Sequence, residues 1–150
     1  MNAFKIRRAR MEDVSKVAPL FDAYRRFYQQ EPNLELAKEF ISARLNNGES
    51  IIFIAEDEQL NSAGFCQIYP SFCSVSAAPI YVLYDLFVAP ETRKLGLGKM
   101  LLESAEAHAK AHDILRMDLT TAKTNFDAQS LYESLGWIKD DIFFAYNRTV

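Results

Sequence analysis

A short loop carries the residues of this chain best suited to bind an anion. Residues 84–88 read Tyr-Asp-Leu-Phe-Val, and residues 93–99 read Arg-Lys-Leu-Gly-Leu-Gly-Lys at the start of a predicted helix. The first amides of a helix have no intrahelical acceptor, and Gly96 and Gly98 place no side chain between them and an anion. Arg93 and the two lysines add positive charge at the same end. The pattern predicts a phosphate-binding loop.

The spacing of this loop excludes two common nucleotide motifs. In a dinucleotide fingerprint counted from Gly96, the third glycine position is occupied by Leu101. In a Walker loop, Arg93 stands where the first glycine belongs and Met100 where Ser or Thr would hold magnesium. The pattern that remains is Arg-x-x-Gly-x-Gly.

The composition fits one globular domain, spanning residues 1–150. The chain is 49% hydrophobic and 25% charged, with a net charge of −3 and a pI near 5.4. This balance gives no broad attraction for nucleic acid, and the basic residues within 4–10 are interpreted as a solvated strand face. We therefore expect no nucleic-acid partner.

The chain shows no sign of export or membrane insertion. Its first ten residues lack the apolar core of a signal peptide, and no window approaches the roughly 20 apolar residues of a membrane span. We expect a cytoplasmic protein without a membrane partner. Cys66 and Cys73 lack the spacing of a metal or redox site, and His108 and His112 lack a further obvious ligand, so no metal is expected.

The elements that must position the loop follow from hydrophobic periodicity. Strands are predicted at residues 4–10, 51–56, 63–69, 80–88 and 115–121, with one or two more within 137–150. Helices are predicted after Asp13, from Leu34 to Asn47, from Leu97 to about His112, and after Asn125 or Asp127 with closure at Gly136. This order predicts a mixed α/β sheet flanked by helices, in which the strands before and after the third helix are parallel.

The order of elements and three local motifs resemble the GNAT superfamily of N-acetyltransferases. The motifs are the strand 84–88 followed by Arg-x-x-Gly-x-Gly, Asn125 after strand 115–121, and Leu-Tyr-Glu-Ser-Leu-Gly-Trp at residues 131–137. The last resembles the family's Leu-Tyr-Glu-x-Leu-Gly-Phe, with Trp137 replacing Phe. The resemblance covers nearly the whole chain and implies a GNAT-like fold: a mostly antiparallel central sheet with a parallel, splayed pair of strands.

Within the superfamily the chain looks most like one branch. Residues 84–88 and the segment Tyr-Arg-Arg-Phe-Tyr at 24–28 are similar to the diamine and thialysine acetyltransferases and to the yeast-type small-amine or histone acetyltransferases. The diamine enzymes usually have Glu where this chain has Tyr84. One carboxylate of the expected amine pocket is thereby absent, whereas Asp85 is retained.

The resemblance implies acetyl-CoA as cofactor and a primary amine as acceptor. The residues implied in cofactor binding are Leu86, Phe87, Val88, Arg93, Lys94, Leu95, Gly96, Leu97, Gly98, Lys99, Asn125, Ala128 and Tyr132. Those implied in acceptor binding are Tyr24, Tyr28, Tyr84 and Asp85. Asp85 and Tyr132 are the implied catalytic pair.

The chemistry explains why a carboxylate and a phenol are needed. An alkylammonium has a pKa of about 10.4 and must lose a proton before it attacks, so Asp85 is predicted to act as base or to bind the ammonium. The departing thiolate needs a proton, which the Tyr132 phenol can supply. A backbone N–H near Phe87 or Val88 is expected to stabilise the oxyanion. The alternatives are a structural Asp85, a Tyr132 packed in the core, and an Asn125 that only caps its helix.

Two other functions and one assembly state follow from the same residues. A non-catalytic acyl-CoA sensor would need the loop alone, and a protein lysine acetyltransferase would use the same chemistry on peptides. The apolar run at residues 142–146 is predicted to pair across a two-fold axis, which favours a homodimer.

Overall fold

The computed structural model describes residues 3–150, which fall into two compact units, the first ending at Thr120 and the second running from Thr121 to Val150. Among the described residues, no helix is both long and apolar enough to span a bilayer. The assignment of the whole chain to one domain stays a prediction.

The first unit contains a mixed sheet flanked by three helices. Its strands, in spatial order, are β1 (Lys5–Arg8), β2 (Ile51–Glu56), β3 (Ser62–Cys73), β4 (Ala78–Val88) and β5 (Met117–Asp118). Its helices are α1 (Val14–Phe27), α2 (Leu34–Asn46) and α3 (Leu97–Ala111). Neighbouring strands are antiparallel except β4 and β5, which are parallel. The predicted mixed fold and parallel pair are confirmed, although β5 is much shorter than expected.

A β-bulge at Tyr84 reverses the side-chain alternation of β4. Gln67 is opposite Asp85 and Ile68 is opposite Leu83, so Tyr84 is the extra residue. Before the bulge, Tyr81 faces α3, where its hydroxyl lies 3.1 Å from His108 Nδ1. After it, odd-numbered residues face α1. The bulge therefore directs Asp85 toward α1.

Opposite faces of the sheet pack against different helices. Helices α1 and α2 cover one face through a buried cluster that includes Val17, Phe21, Ile41 and Phe65. The Phe21 ring stacks on Phe40 of α2 at 5.3 Å, which joins the two helices above the sheet. Helix α3 covers the other face, where the Cys66 thiol lies 3.8 Å from the Leu101 carbonyl oxygen.

One basic residue of β1, Arg7, is less solvated than predicted, whereas Lys5 and Arg8 are exposed as expected. The Arg7 guanidinium pairs with Asp13 at 2.7 Å and with Glu56 at 2.6 Å, and Lys16 also bonds Glu56. These cations hold the pKa of Asp13 at about 2 and lower that of Glu56, since each favours the ionised carboxylate. Arg7 therefore fastens β1 to β2 and to the entry of α1, whereas Arg10 is exposed as expected.

The second unit contains one helix, α4 (Phe126–Ser134). The Asn125 side chain caps its start by accepting a hydrogen bond from the Ala128 amide at 3.3 Å. Gly136, at φ +90°, closes its end, as the sequence predicted. Residues 137–150 form no strand among the described residues, so the prediction of final strands was wrong. A strand needs a neighbour for its backbone groups, and the described part of this unit contains none.

Candidate active site

Hydrogen bonds hold the loop after β4 in place and fix the position of the Arg93 side chain. The Arg93 Nε donates to the Val88 carbonyl at 3.0 Å, and its guanidinium carbon lies 5.6 Å from the centre of the Phe87 ring. The Thr92 hydroxyl lies 3.0 Å from the Ala89 carbonyl and 3.2 Å from that of Ala63, which ties the loop to β3. Arg93 remains exposed, with its other nitrogens available to an anion.

The start of α3 has the geometry of an anion site. The first helical hydrogen bond of α3 runs from the Met100 amide to the Gly96 carbonyl. The amides of Leu97, Gly98 and Lys99 therefore have no acceptor within the helix. Gly96 has a φ of +82°, and no atom lies within 4 Å of where its Cβ would be. The space in front of these amides is open because Gly96, in its left-handed conformation, has no side chain to fill it. The residues thus fit a pyrophosphate group.

The side chains of residues 94–99 differ in how far they can reach a bound ligand. Leu97 is buried in the core, so only its backbone can face a ligand. Lys99 lies 3.8 Å from Glu103, an exposed pair of little energetic weight, and Lys94 adopts a left-handed φ of +65°. Leu95 is exposed. The predicted cofactor residues of this loop therefore divide into backbone donors and exposed basic side chains.

The C-terminal half of β4 presents free backbone groups on one edge. Pairing with β5 is limited to Tyr81 with Met117 and Val82 with Asp118. The Ala89 amide donates to Ala63 of the β3 side, and backbone groups alternate in direction along a strand. The amides of Leu86 and Val88 therefore point toward the splayed edge, whereas that of Phe87 points at β3. Of the two amides considered from the sequence, this geometry favours Val88.

Asp85 is a buried carboxylate with neutral partners. It is 3% exposed, and the Gln67 Nε2 donates to its Oδ2 at 2.6 Å. The Tyr24 hydroxyl also lies within hydrogen-bonding reach of it. Burial raises the pKa of Asp85, and the bonds from Gln67 and Tyr24 offset part of that rise. A carboxyl with a raised pKa is suited to accept a proton near neutral pH.

Tyrosine rings from α1, β3 and β4 lie near this carboxylate. The Tyr24 hydroxyl lies 3.2 Å from the Tyr84 carbonyl oxygen as well as within reach of Asp85, and its ring lies 5.1 Å from that of Tyr28. Tyr69 of β3 packs against the Tyr84 ring at 5.4 Å. Burial, and then the charge of Asp85, raise the pKa of Tyr69, so its phenol stays protonated at neutral pH. The structure thus brings together all four residues expected to bind the acceptor.

The remaining predicted residues lie on α4. Asn125 Oδ1 is engaged by the Ala128 amide, which agrees with the capping role. Tyr132 and Trp137 have ring centres 6.1 Å apart. Both Ala128 and Tyr132 are partly buried. Their functional roles stay predictions.

Sequence reasoning missed Gln67 and Thr92, and it gave little weight to Tyr69. Gln67 lies in a predicted apolar strand, and a polar residue there was the one available signal. Thr92 lies among charged loop residues and gave no signal of its own. Their partners come from other strands, which the linear pattern does not reveal.

His108 of α3 and His112, directly after the end of that helix, form a stacked pair. Their rings lie 4.0 Å apart, and the His112 Nδ1 is 2.9 Å from the His108 carbonyl oxygen. Burial lowers the pKa of His108. Within residues 3–150, no group of three or more His, Cys, Asp or Glu residues is arranged to hold a metal ion.

Comparison with known proteins finds relatives over nearly the whole chain. The chain is 45% identical over 141 residues to the "uncharacterized N-acetyltransferase YhfO" of Bacillus subtilis (strain 168), with 94% of each chain covered. A crystal structure of a probable acetyltransferase matches with a TM-score of 0.92 at 37% identity over 97% of each chain. A predicted acetyltransferase from Clostridium acetobutylicum, solved with acetyl-CoA, matches with a TM-score of 0.78 at 18% identity over 97% of this chain and 96% of that one. The last likeness shows the fold alone.

The match to a protein family covers most of the chain. The model of the family described as "Acetyltransferase (GNAT) family" matches residues 17–137. This span contains most of α1, the β4–α3 loop and α4. The relatives named above are acetyltransferases, and their similarity extends over nearly the full length. The chain therefore belongs to the GNAT family of acetyltransferases and is an acyltransferase.

Proposed function

We propose that the protein is an acetyl-CoA-dependent N-acetyltransferase that moves an acetyl group directly to a primary amine. The observation that carries the proposal is the joint presence, in one unit, of an anion-binding helix start and a buried carboxylate among tyrosines. The first suits a pyrophosphate and the second an ammonium.

The residues that would hold the cofactor are those of the β4 edge and the loop. The amides of residues 97–99 and the Arg93 guanidinium would bind the pyrophosphate, and the free groups of Leu86 and Val88 would pair with the pantetheine amides. Asn125, Ala128 and Tyr132 are proposed to contribute from α4 by resemblance. When bound, acetyl-CoA supplies an activated acetyl group: the amine nitrogen bonds to the acetyl carbon as the carbon–sulfur bond breaks, and the proton lost by the amine balances the one gained by sulfur.

Asp85 is the proposed base. It is the carboxylate that the bulge turns toward the tyrosines of α1, and its raised pKa suits proton uptake from an ammonium. The tyrosine faces attract the same cation by about 0.5–2 kcal/mol. Tyr132 is the proposed acid that protonates the departing thiolate, on the strength of its place in the motif at 131–137.

The proposed acceptor is a small amine, an amino acid or a polyamine-like compound. Tyr24, Tyr69 and Tyr84 lie around Asp85, so the cation would be held by one carboxylate and by aromatic faces. The branch containing diamine, thialysine and small-amine acetyltransferases fits this arrangement, with Tyr84 replacing the second carboxylate. A cytoplasmic, single-domain protein is proposed with it.

The experiment that tests the activity measures release of free CoA thiol from acetyl-CoA. The panel contains polyamines, amino acids, aminoalkyl compounds and short lysine peptides. We expect release with one class of free amine. Release with peptides alone would instead identify a protein lysine acetyltransferase. Tight binding of acetyl-CoA without acetylation of any acceptor would favour the sensor and overturn the proposed reaction.

A matched pair of glycine variants tests the cofactor site. Gly96 and Gly48 both have positive φ, at +82° and +62°, and neither has an atom within 4 Å of the position that a Cβ would take. Gly96→Val and Gly48→Val thus carry similar backbone strain, on the order of 1–3 kcal/mol. Calorimetric titration should show CoA affinity lowered at least about tenfold by the first change alone, since about 1.4 kcal/mol is tenfold. Equal affinities in the two variants would exclude the loop as the CoA site.

We also propose a homodimer formed through residues 142–146. Ile142, Phe143, Phe144 and Tyr146 are largely exposed, a concentration of apolar surface that favours association. These residues form no strand in the described chain, and their backbone groups suit pairing with a second copy. Sedimentation at micromolar concentration should give the mass of two chains, and Phe144→Lys should give one. A single-chain mass for the unmodified protein would contradict the proposal.

A further inference from the structure

The strongest unexplained feature of the first unit is the side chain of Gln67. It is fully buried in β3, directly opposite Asp85 in the β3–β4 register. Its Nε2 donates to Asp85 Oδ2 at 2.6 Å, yet its Oε1 is buried without a hydrogen-bond partner. A buried amide with one satisfied end and one orphaned end calls for an explanation, because such groups are rarely left unpaired.

The other titratable groups around Asp85 are phenols and a thiol. Tyr24 approaches from α1, Tyr69 and Cys66 lie on β3, and Tyr84 precedes Asp85 on β4. Among the described residues, no arginine or lysine forms an ion pair with Asp85. Gln67 is therefore the main polar group that decides how readily the carboxyl changes its protonation state.

A primary amide can serve either form of a carboxyl group. Its N–H₂ donates to a carboxylate, and after a half-turn about χ3 its oxygen occupies nearly the same place and accepts from a carboxylic acid. In the observed orientation Nε2 bonds Asp85 and Oε1 has no partner in the described chain. A turn of the amide would exchange these roles, so Gln67 can bond both states of the carboxyl, the ionised one more strongly because that bond is charge-assisted. A cation at this position would favour only the ionised form and an apolar side chain only the neutral one.

We propose that Gln67 is a positioning residue that hydrogen-bonds Asp85 in both protonation states, through Nε2 when the carboxyl is ionised and through Oε1 when it is protonated. This inference rests on the proposed function, in which Asp85 takes up a proton and then releases it. The orphaned Oε1 is the acceptor held ready for the protonated state.

The test replaces Gln67 by a residue of similar shape without hydrogen-bonding atoms. Gln67→Met removes the donor to the ionised carboxylate, so the titration of Asp85 should move upward by about one pH unit, which corresponds to a tenfold change in proton affinity. Carbon NMR of the labelled Asp85 carboxyl in the free protein reads this directly. The pKa seen on the acidic side of the pH profile of kcat/KM for the amine should rise by the same amount. Below that pKa, kcat/KM should be about tenfold lower than in the unmodified protein. The KM for acetyl-CoA should not change.

Two further variants separate the possible outcomes. Ser50→Ala alters another buried polar side chain that has no partner among the described residues, just before β2, and should leave the Asp85 titration unchanged. If Gln67→Met does not fold, Gln67→Asn withdraws the amide by one methylene and should move the titration in the same direction. An unchanged Asp85 titration in a folded Gln67 variant overturns the inference.

The Asp85→Asn background distinguishes the inference from the function on which it rests. If Gln67 acts through Asp85, the effect of Gln67→Met on kcat/KM should vanish in this background. Persistence of that effect would assign Gln67 a merely structural role and overturn the inference. Full activity of Asp85→Asn itself would remove Asp85 as base, while the NMR titration would still decide whether Gln67 controls its protonation.

Discussion

Asp85 and the pair formed by Asp13 and Glu56 are buried to nearly the same degree, at 3%, 4% and 5% exposure, but they have different partners. Asp13 and Glu56 are bonded by the cations of Arg7 and Lys16, and their pKa values are lowered. Asp85 has an amide and a phenol, and its pKa is raised. Burial alone therefore does not decide the state of a carboxyl group; the charge of its partner does.

The difference separates a structural role from a chemical one. A carboxylate held ionised by an arginine cannot exchange protons near neutral pH, but it fastens β1, β2 and the entry of α1 together. A carboxyl with neutral partners contributes less to stability, and its proton can come and go. Changes to these residues test this distinction.

The largest effect is expected for Asp85→Asn. The amide keeps a hydrogen-bonding oxygen for Gln67 but cannot accept a proton, so kcat/KM should fall by about 10²- to 10⁴-fold. The melting temperature at neutral pH should not fall, because the change removes a carboxyl whose ionisation burial opposes. Thiol-release kinetics and thermal unfolding measure the two quantities.

The matching change in the other cluster is Asp13→Asn, which should lower stability and spare kcat/KM at temperatures where the protein is folded. If both asparagine variants changed stability alone, the distinction between the two clusters would fail.

Arg7→Met should produce the largest loss of stability. It leaves Asp13 buried without its main cation and Glu56 with Lys16 alone, and such a loss costs about 3–5 kcal/mol at fully buried sites. Because the Arg7 side chain is 39% exposed, we expect about 2 kcal/mol in urea unfolding. Arg10→Met is the control, since the Arg10 side chain makes an exposed contact of 3.9 Å with Glu12. Equal losses in the two variants would show that the Arg7 network is not a structural element.

The pH dependence of stability should have opposite signs at the two sites. Asp13, with a folded pKa of about 2 and an unfolded value near 3.9, contributes stability above pH 4 that is lost as the pH falls from about 4 to 2. Asp85, whose folded pKa is raised, binds protons more tightly when folded, so its contribution declines as the pH rises above about 4. Arg7→Met should reduce the loss of stability between about pH 4 and pH 2, and Asp85→Asn should remove the decline in stability above about pH 4. Urea unfolding between pH 3 and pH 7 measures both, and slopes unaffected by either change would refute the assignment.

The smallest effect is expected for Lys16→Met. Glu56 loses one of its two cations and keeps Arg7 at 2.6 Å. The free energy of unfolding should fall by about 0.5–1 kcal/mol, as for a partly exposed pair. A loss as large as that of Arg7→Met would mean that the lysine, and not the arginine, holds the cluster together.

The loop after β4 was predictable in detail because its chemistry is local. Left-handed glycine, the start of a helix and the residues between them lie within a few positions, so Gly96 and the amides of α3 were readable from the sequence. The cap of α4 by Asn125 was predicted for the same reason. The prediction of strands in residues 137–150 was wrong, because an apolar run forms a strand only when a partner strand is available.

The surroundings of Asp85 could not be predicted in this way. Gln67 lies 18 positions away, and its contact depends on the β3–β4 register. That register contains a bulge at Tyr84, and shifting it by one residue would turn Asp85 to the opposite face. The likewise distant pairing of Arg7 with Glu56, 49 positions apart, drew one arginine of the expected solvated strand face into a charge network, whereas Lys5 and Arg8 are exposed.

The sequence by itself determined the family, the order of the elements of the first unit and the glycine loop that opens α3, because these depend on residue types at short, regular spacing. Only the tertiary structure decided which buried carboxyl meets a cation and which meets an amide. That choice depends on strand register and on the helix packed above each strand, which join residues far apart in the chain.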